Sequence, residues 1–345
     1  MDKIRVLVVD DSFLMRRIIS DIIDSDPELE VVGKAKDGAD ALQKAADLKP
    51  DVMTLDINLP LMDGIDVLQQ LMKKQPTRVI MLSAYTRAGA TATMKALELG
   101  AVDFIAKPSG EISLGLDKLK SEIVSKIKLA SKVDLDKYLS SFRIAPPAEA
   151  MGVPGIRKVV VIGASTGGPR AVLDIMKDIP ADLKAAILIV QHMPKGFTVS
   201  FAERISWQSG VRTKEAEPGD AVVTSRALVA PAGFHMVIER QESEAVVRLT
   251  QDALVNFVRP SIDVTMLSVA DLFGKDVIGV ILTGMGKDGT EGVRRIKEKG
   301  GKVIVQDEAS SVVWGMPKSV VKEGLADSIL PLSQIAGEII RLSQQ

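Results

Sequence analysis

The segment KVVVIGASTGGPR, residues 158–170, limits more strongly than any other how this chain can fold. Four apolar residues, Val159 to Ile162, run straight into a glycine-rich turn, the pattern of a buried strand, and PRAVLDIMKDI beyond the turn has helical spacing. Gly163, Gly167 and Gly168 lack Cβ, so the backbone can take geometry closed to other residues and present the Ser165 hydroxyl, with free N–H groups, at a strand's C-terminal edge. A nucleophilic serine and a phosphate cradle both use such a turn, and the turn alone does not choose between them. A serine nucleophile requires a general base, and only His192 and His235 are present.

The chain has 345 residues, enough for two domains that each bury a core. Up to position 155 there are 21 basic and 23 acidic residues, and after it 23 and 22, so neither half carries the basic field of a nucleic-acid module. The absence of cysteine removes disulfides, thiolate nucleophiles and Cys-zinc sites. The start, MDKIRVLVVDD, shows no secretory signal, and runs such as AAILIV fall short of a spanning helix. A cytoplasmic protein without direct membrane insertion is expected.

Through the first 120 residues short apolar runs alternate with amphipathic segments in five successive βα units, which implies a parallel sheet with helices on both faces. A receiver-sized domain over 1–125 gives way to a linker over 126–155, containing SSFRIAPPAEAMGVPG, and then to a second domain over 156–345. In that domain VVVIGAS, AAILIVQ, DVIGVILTG and KVIVQ read as buried parallel strands. ALVAPAGFHMVIER with AVVRLTQ reads as an antiparallel hairpin region. The fold class expected is α/β in both halves.

In the first domain Asp10 and Asp11 follow the first strand, Asp56 ends the third, Ser83 the fourth and Lys107 the fifth. The C-terminal edges of an open parallel sheet share one crevice, so three carboxylates meet there and call for a hard divalent cation, Mg2+. Asp56 is then the phosphoryl acceptor, Lys107 a counter-charge and Ser83 a hydroxyl donor. Taken singly, each acid could be a helix cap, but their coincidence at strand ends is not explained that way. VLVVDDS, TLDINLPLMDG, MLSA and DFIAKP resemble the signature of two-component response-regulator receiver domains. That resemblance implies a flavodoxin-like fold, Asp56 as phosphorylation site, and Mg2+ on Asp11, Asp56 and the Asn58 carbonyl with Asp10 assisting. It also places Phe104 at the aromatic switch position.

In the second domain His192 follows the strand AAILIVQ, and Asp288 lies in TGMGKDGTEG after VIGVIL. Three strand ends thus offer a nucleophile, a base and a carboxylate to orient it. His235 ranks below His192 because its turn belongs to the hairpin region, and Asp307 after KVIVQ competes with Asp288, which the neighbouring glycines favour. A cap on the helix near Thr290 is the structural alternative for Asp288. GASTG satisfies GxSxG, yet no histidine follows position 235, which disfavours the α/β-hydrolase order.

IGASTGGP, VQHMP, APAGFHM, LTGMGKDG and WGMP resemble the catalytic domain of the chemotaxis protein-glutamate methylesterase (CheB) family. The resemblance implies Ser165, His192 and Asp288 as catalytic residues, with Thr166 and the Met285 N–H at the acyl site. It implies demethylation of glutamate methyl esters and deamidation of glutamines on methyl-accepting chemoreceptors, no cofactor for hydrolysis, and the chemotaxis histidine kinase CheA as phosphodonor. A DNA-binding output domain and a nucleotide-binding one are the alternatives. The first predicts a basic helix-turn-helix and the second a GK[ST] after the turn, and neither is present.

Overall fold

A computed structural model describes residues 3–84, 86–107, 116–135 and 158–345, which form parts of two compact units, 1–142 and 143–345. In the first unit the elements are β1 (Ile4–Val9), α1 (Phe13–Asp24), β2 (Leu29–Ala35), α2 (Gly38–Leu48), β3 (Val52–Asp56), α3 (Gly64–Lys74), β4 (Arg78–Ser83), α4 (Arg87–Glu98), β5 (Asp103–Ala106) and α5 (Leu116–Ala130). The five strands pair in parallel in the order β2-β1-β3-β4-β5, the flavodoxin-like arrangement. β3 is buried along its whole length, as a central strand covered on both faces must be, which is why VMTLD shows no alternation. The helix α5 continues past residue 125 to Ala130. Val133 and Leu135 beyond it are buried, and Arg78 Nε donates to the Val133 carbonyl at 2.8 Å. The rest of the expected linker, residues 136–155, lies outside the described residues, as does Pro108.

The second unit contains β6 (Lys158–Ala164), α6 (Gly168–Asp178), β7 (Ala185–Gln191), α7 (Thr198–Gln208), β8 (Arg212–Glu215), β9 (Arg226–Val229), β10 (His235–Gln241) and β11 (Glu244–Thr250). It continues through α8 (Ile262–Phe273), β12 (Val277–Ile281), α9 (Thr290–Glu298), β13 (Lys302–Gln306), α10 (Met316–Lys322), β14 (Ser328–Leu330) and α11 (Leu332–Ser343). Its main sheet is parallel, in the order β14-β13-β12-β6-β7-β9-β8. The chain starts at β6, builds outward through β7 on one side, then returns to β12 on the other. The crevice beyond the β6 and β12 ends is therefore the topological switch point, where ligands of open α/β sheets bind.

The hairpin is narrower than the sequence suggests. ALV belongs to the parallel sheet as β9, and only β10 and β11 pair antiparallel. β8 reads RTKE and gave no strand signal, because it sits at the sheet edge with alternate residues in solvent. No helix of the described residues is long and apolar enough to cross a membrane.

Gly64 shows how tightly the end of β3 is wrapped. Its N–H donates to the Ile57 carbonyl at 2.8 Å, and a Cβ at this position would fall 2.0 Å from the Asp56 backbone oxygen. Gly64→Ala is therefore expected to destabilise the receiver by about 1–3 kcal/mol or more in urea unfolding. Gly337→Ala, exposed within α11 with nothing near the new methyl, should stabilise by roughly 0.5–1 kcal/mol.

Candidate active site

In the receiver, parallel pairing of β1 with β3 sets Asp10 beside Asp56, and both are buried while Asp11 is exposed. One carboxylate oxygen from each of the three lies within 4.8 Å of the others, an acidic cluster typical of a cation-binding phosphorylation site. Lys107, just after β5, bridges the two buried acids with its Nζ 2.7 Å from Asp10 Oδ2 and 2.7 Å from Asp56 Oδ2. Burial lifts the Asp56 carboxyl above its ordinary pKa against the opposing pull of Lys107, with the Asp10 charge adding to the rise. Burial also works against the Lys107 charge, but its two carboxylate partners outweigh it and hold the ammonium above the usual lysine value. Asp56 Oδ1 is buried with no hydrogen-bond partner among the described residues. An orphaned, partly compensated carboxylate of this kind suits a hard divalent cation, so the donor set fits the expected metal.

The supporting residues are placed less directly. Asn58 is exposed two positions beyond Asp56. The buried Ser83 hydroxyl donates to the Gly89 carbonyl at 3.1 Å and makes no hydrogen bond to Asp56. Phe104 is buried in β5, with Lys126 Nζ 5.1 Å from its ring centroid.

In the second unit, strand register does most of the positioning. Ala164 pairs with Gln191, and the His192 N–H donates to the Ala164 carbonyl at 3.1 Å, which sets His192 alongside Ser165. On the other side the Ser165 N–H donates to the Thr283 carbonyl at 3.0 Å. A Cβ on Gly284 would lie 2.7 Å from Ser165 Cβ. Gly167 takes a φ of 74°, which turns the chain into α6 immediately after the serine.

His192 Nε2 lies 2.8 Å from Asp288 Oδ2. Asp288 does not cap the helix that follows it, α9, whose first turn is preceded by Gly289. Its carboxylate points instead into the N-terminus of α8, where Oδ2 accepts from the Ile262 N–H at 2.7 Å. Oδ1 accepts from the Ser261 hydroxyl at 2.7 Å and from Asn256 Nδ2 at 2.9 Å. Burial opposes ionisation here, but the His192 hydrogen bond and charge, the Ile262 N–H and the Ser261 hydroxyl overcome it and hold the pKa at about 2. An ionised carboxylate can only accept, so the imidazole donates from Nε2. Nδ1 is then the basic nitrogen, and it makes no hydrogen bond among the described residues.

The other sequence candidates fall into separate roles. His235 is buried with both ring nitrogens engaged, Nδ1 accepting from the Ser261 N–H at 3.2 Å and Nε2 meeting the Ala253 carbonyl at 3.0 Å. Asp307 caps a turn through the Ser310 N–H and hydroxyl, away from His192. Thr166 is half-buried, and its carbonyl accepts from the Thr283 hydroxyl at 2.9 Å. Neither its N–H nor that of Met285 has an acceptor among the described residues.

Sequence reasoning missed several residues that hold this arrangement. Gln191 Nε2 donates to the Ser165 carbonyl at 2.9 Å, and Gln306 Oε1 accepts from the Thr283 N–H at 2.8 Å. Asn256 bridges Asp288 and the buried Asp263, whose Oδ2 it meets at 2.7 Å. The pattern PSID before an apolar run signals the start of α8 and could have found Ser261, whereas nothing local marks Asn256.

A metal-type acidic cluster on one parallel sheet and a serine, histidine and aspartate at the switch point of another define a response regulator with a serine-hydrolase output. Residues 6–116 match the response regulator receiver domain, and residues 160–339 match the family described as CheB methylesterase. The chain is 46% identical over 343 residues to the protein-glutamate methylesterase/protein-glutamine glutaminase of Pyrococcus horikoshii, covering 98% of this chain and 93% of that protein. It is 47% identical over 344 residues to the protein of the same description from Thermotoga maritima, covering 98% of each. The crystal structure of the Thermotoga maritima CheB methylesterase catalytic domain superposes with a TM-score of 0.53 at 44% identity, over 54% of this chain and 98% of that one. The chain belongs to the CheB methylesterase family.

Asp263 gives the site a pH signature. Burial raises its carboxyl from 3.8 to about 6, with the Asp288 charge adding and the Gly292 N–H and Asn256 opposing. The folded state therefore binds the extra proton between those values, and stability falls as pH rises from 4 through 6. Asp288 has the opposite sign, contributing stability above 3.8 that is lost as pH falls through about 2. Urea unfolding should show a larger loss of stability from pH 4 to pH 7 in the wild type than in Asp263→Asn.

Proposed function

We propose that Ser165 is the nucleophile, His192 the general base and Asp288 its orienting carboxylate, and that the substrate is a glutamate methyl ester on a chemoreceptor. The 2.8 Å His192–Asp288 hydrogen bond beside the Ser165 turn carries this reading. His192 Nδ1 takes the hydroxyl proton as Ser165 Oγ attacks the ester carbonyl. The oxyanion faces the free N–H groups of Met285 and Thr166, and one such donor is worth roughly 3–4 kcal/mol in the transition state. Collapse of the tetrahedral intermediate expels methanol, which takes its proton from the imidazolium. Water then cleaves the acyl-serine by the reverse proton route and leaves free glutamate. A glutamine side chain follows the same path with ammonia as leaving group, which accounts for glutaminase activity. No cofactor enters the hydrolysis.

In the receiver, Asp56 accepts the phosphoryl group from the chemotaxis histidine kinase CheA. Bound Mg2+, held by Asp10, Asp11, Asp56 and the Asn58 carbonyl, would neutralise the cluster's charge. Lys107 offsets the same charge from the other side, and Ser83 must release Gly89 to donate to the added oxygens. Phe104 is the aromatic that responds. The protein works in the cytoplasm on the exposed part of membrane receptors, without nucleic acid and without inserting in the bilayer.

Methanol release from methylated receptor membranes tests the assignment. Ser165→Ala should lower it by about 10⁴-fold or more while Asp56 still takes up phosphoryl, and His192→Gln should approach that loss. His235→Gln should cost much less, and an equal loss there with His192 dispensable would reverse the base assignment. Chelation of divalent metal should abolish phosphorylation of Asp56 by acetyl phosphate yet leave hydrolysis by the already dephosphorylated enzyme unaltered.

A further inference from the structure

Resting on the proposed reaction, we infer that Phe257 grips the substrate polypeptide beside the esterified glutamate, and that the turn carrying it is a rigid mount for this purpose. Asn256 and Phe257 are the two central residues of a tight turn closed by Val255 and Val258, whose N–H groups donate to each other's carbonyls at 3.3 and 3.0 Å. Both have positive φ, 52° and 65°, the geometry of a type I′ turn. Asparagine suits the first central position. The second favours glycine, and a bulky side chain there is a genuine outlier.

The Phe257 ring gains nothing from the fold in return, being 94% exposed. The same loop exposes Leu254, and Met285 is exposed on the segment that carries Asp288.

The backbone around the turn is fixed by several hydrogen bonds, as a strained position requires. Arg259 Nη1 donates to the carbonyls of Gln251 and Asp252 at 2.8 and 2.7 Å, and His235 Nε2 meets the carbonyl of Ala253. The Asn256 amide is tied to Asp263 and Asp288. An exposed aromatic on a pre-organised backbone is the form of a binding hot spot, since little freedom remains to be lost on contact. Its neighbour in sequence, Asn256, donates to the Asp288 carboxylate, which places the turn beside the triad. The chemistry that fits is a protein segment with an apolar side chain next to the methylated glutamate.

The test compares full-length protein, activated with acetyl phosphate and Mg2+, on methylated receptor membranes and on p-nitrophenyl acetate. Phe257→Gly relieves the turn and should raise the thermal midpoint of the catalytic unit by about 2–4 °C. It should also lower kcat/KM on receptor by about tenfold more than on the small ester, through KM. Phe257→Asn, which also tolerates positive φ, should show the same selective loss, and Phe257→Trp should keep receptor activity within about twofold. Receptor activity of both Gly and Asn variants within about twofold of wild type would overturn the inference, as would equal losses on the two substrates. A gain in receptor turnover by the unphosphorylated variants would also overturn it, because the ring would then be meeting another part of this chain. A wild type that releases no methanol would overturn the proposed function together with this inference, whereas wild-type release with unchanged variants overturns the inference alone.

Discussion

Burying an ionised carboxylate costs several kcal/mol unless its lone pairs are filled by well-placed donors, and Asp288 meets that condition through contacts drawn from distant parts of the chain. Ile262 and Ser261 come from the start of α8, Asn256 from the preceding loop, and His192 from the end of β7. Because the acid stays charged, it dictates which imidazole nitrogen carries the proton and which is left free to act on Ser165. His235 belongs to the same construction at one remove. It is locked against Ser261 and Ala253, and Ser261 in turn donates to Asp288. The two histidines of the chain thus divide the work, one proposed as the base and the other placed as a brace for the carboxylate's partner.

The receiver treats its buried acids differently. Asp10 and Asp56 share one ammonium between them, and Asp56 keeps an oxygen unpaired among the described residues. That incomplete compensation suits the proposed binding of a cation and then a phosphoryl group, which the fully satisfied Asp288 could not accept. The two halves use the same architectural rule, convergence of strand ends on one edge of a parallel sheet, for opposite electrostatic purposes.

Most of what faces the chemistry was legible in the sequence, because it lies at the ends of long apolar strands where glycine-rich turns announce it. Asp10, Asp56, Lys107, Ser165 and His192 all follow or end runs such as IRVLVV, VMTL and AAILIVQ. Asn256 was not legible. It sits in QDALVNFVRP, which has no periodicity, and its function comes from partners seven and thirty-two positions away. The short polar strand β8 escaped for a related reason, since an edge position leaves no hydrophobic signature, whereas ALV is visibly apolar but does not announce that its partners are β7 and β8. Gln191 and Gln306 look like ordinary strand ends, and only the sheet register shows that they fasten the turn at Ser165.

In the proposed mechanism Asp288 fixes His192 with its proton on Nε2 and leaves Nδ1 as the base. Nitrogen-15 NMR of histidine-labelled protein tests it directly, because His192 and His235 are the sole sources of signal. At neutral pH the His192 resonances should report a protonated Nε2 and an unprotonated Nδ1, with the Nε2 proton displaced far downfield in the wild type and shifted back in Asp288→Asn. A His192 protonated on Nδ1, or one whose resonances ignore Asp288→Asn, would rule out Nδ1 as the base held by Asp288.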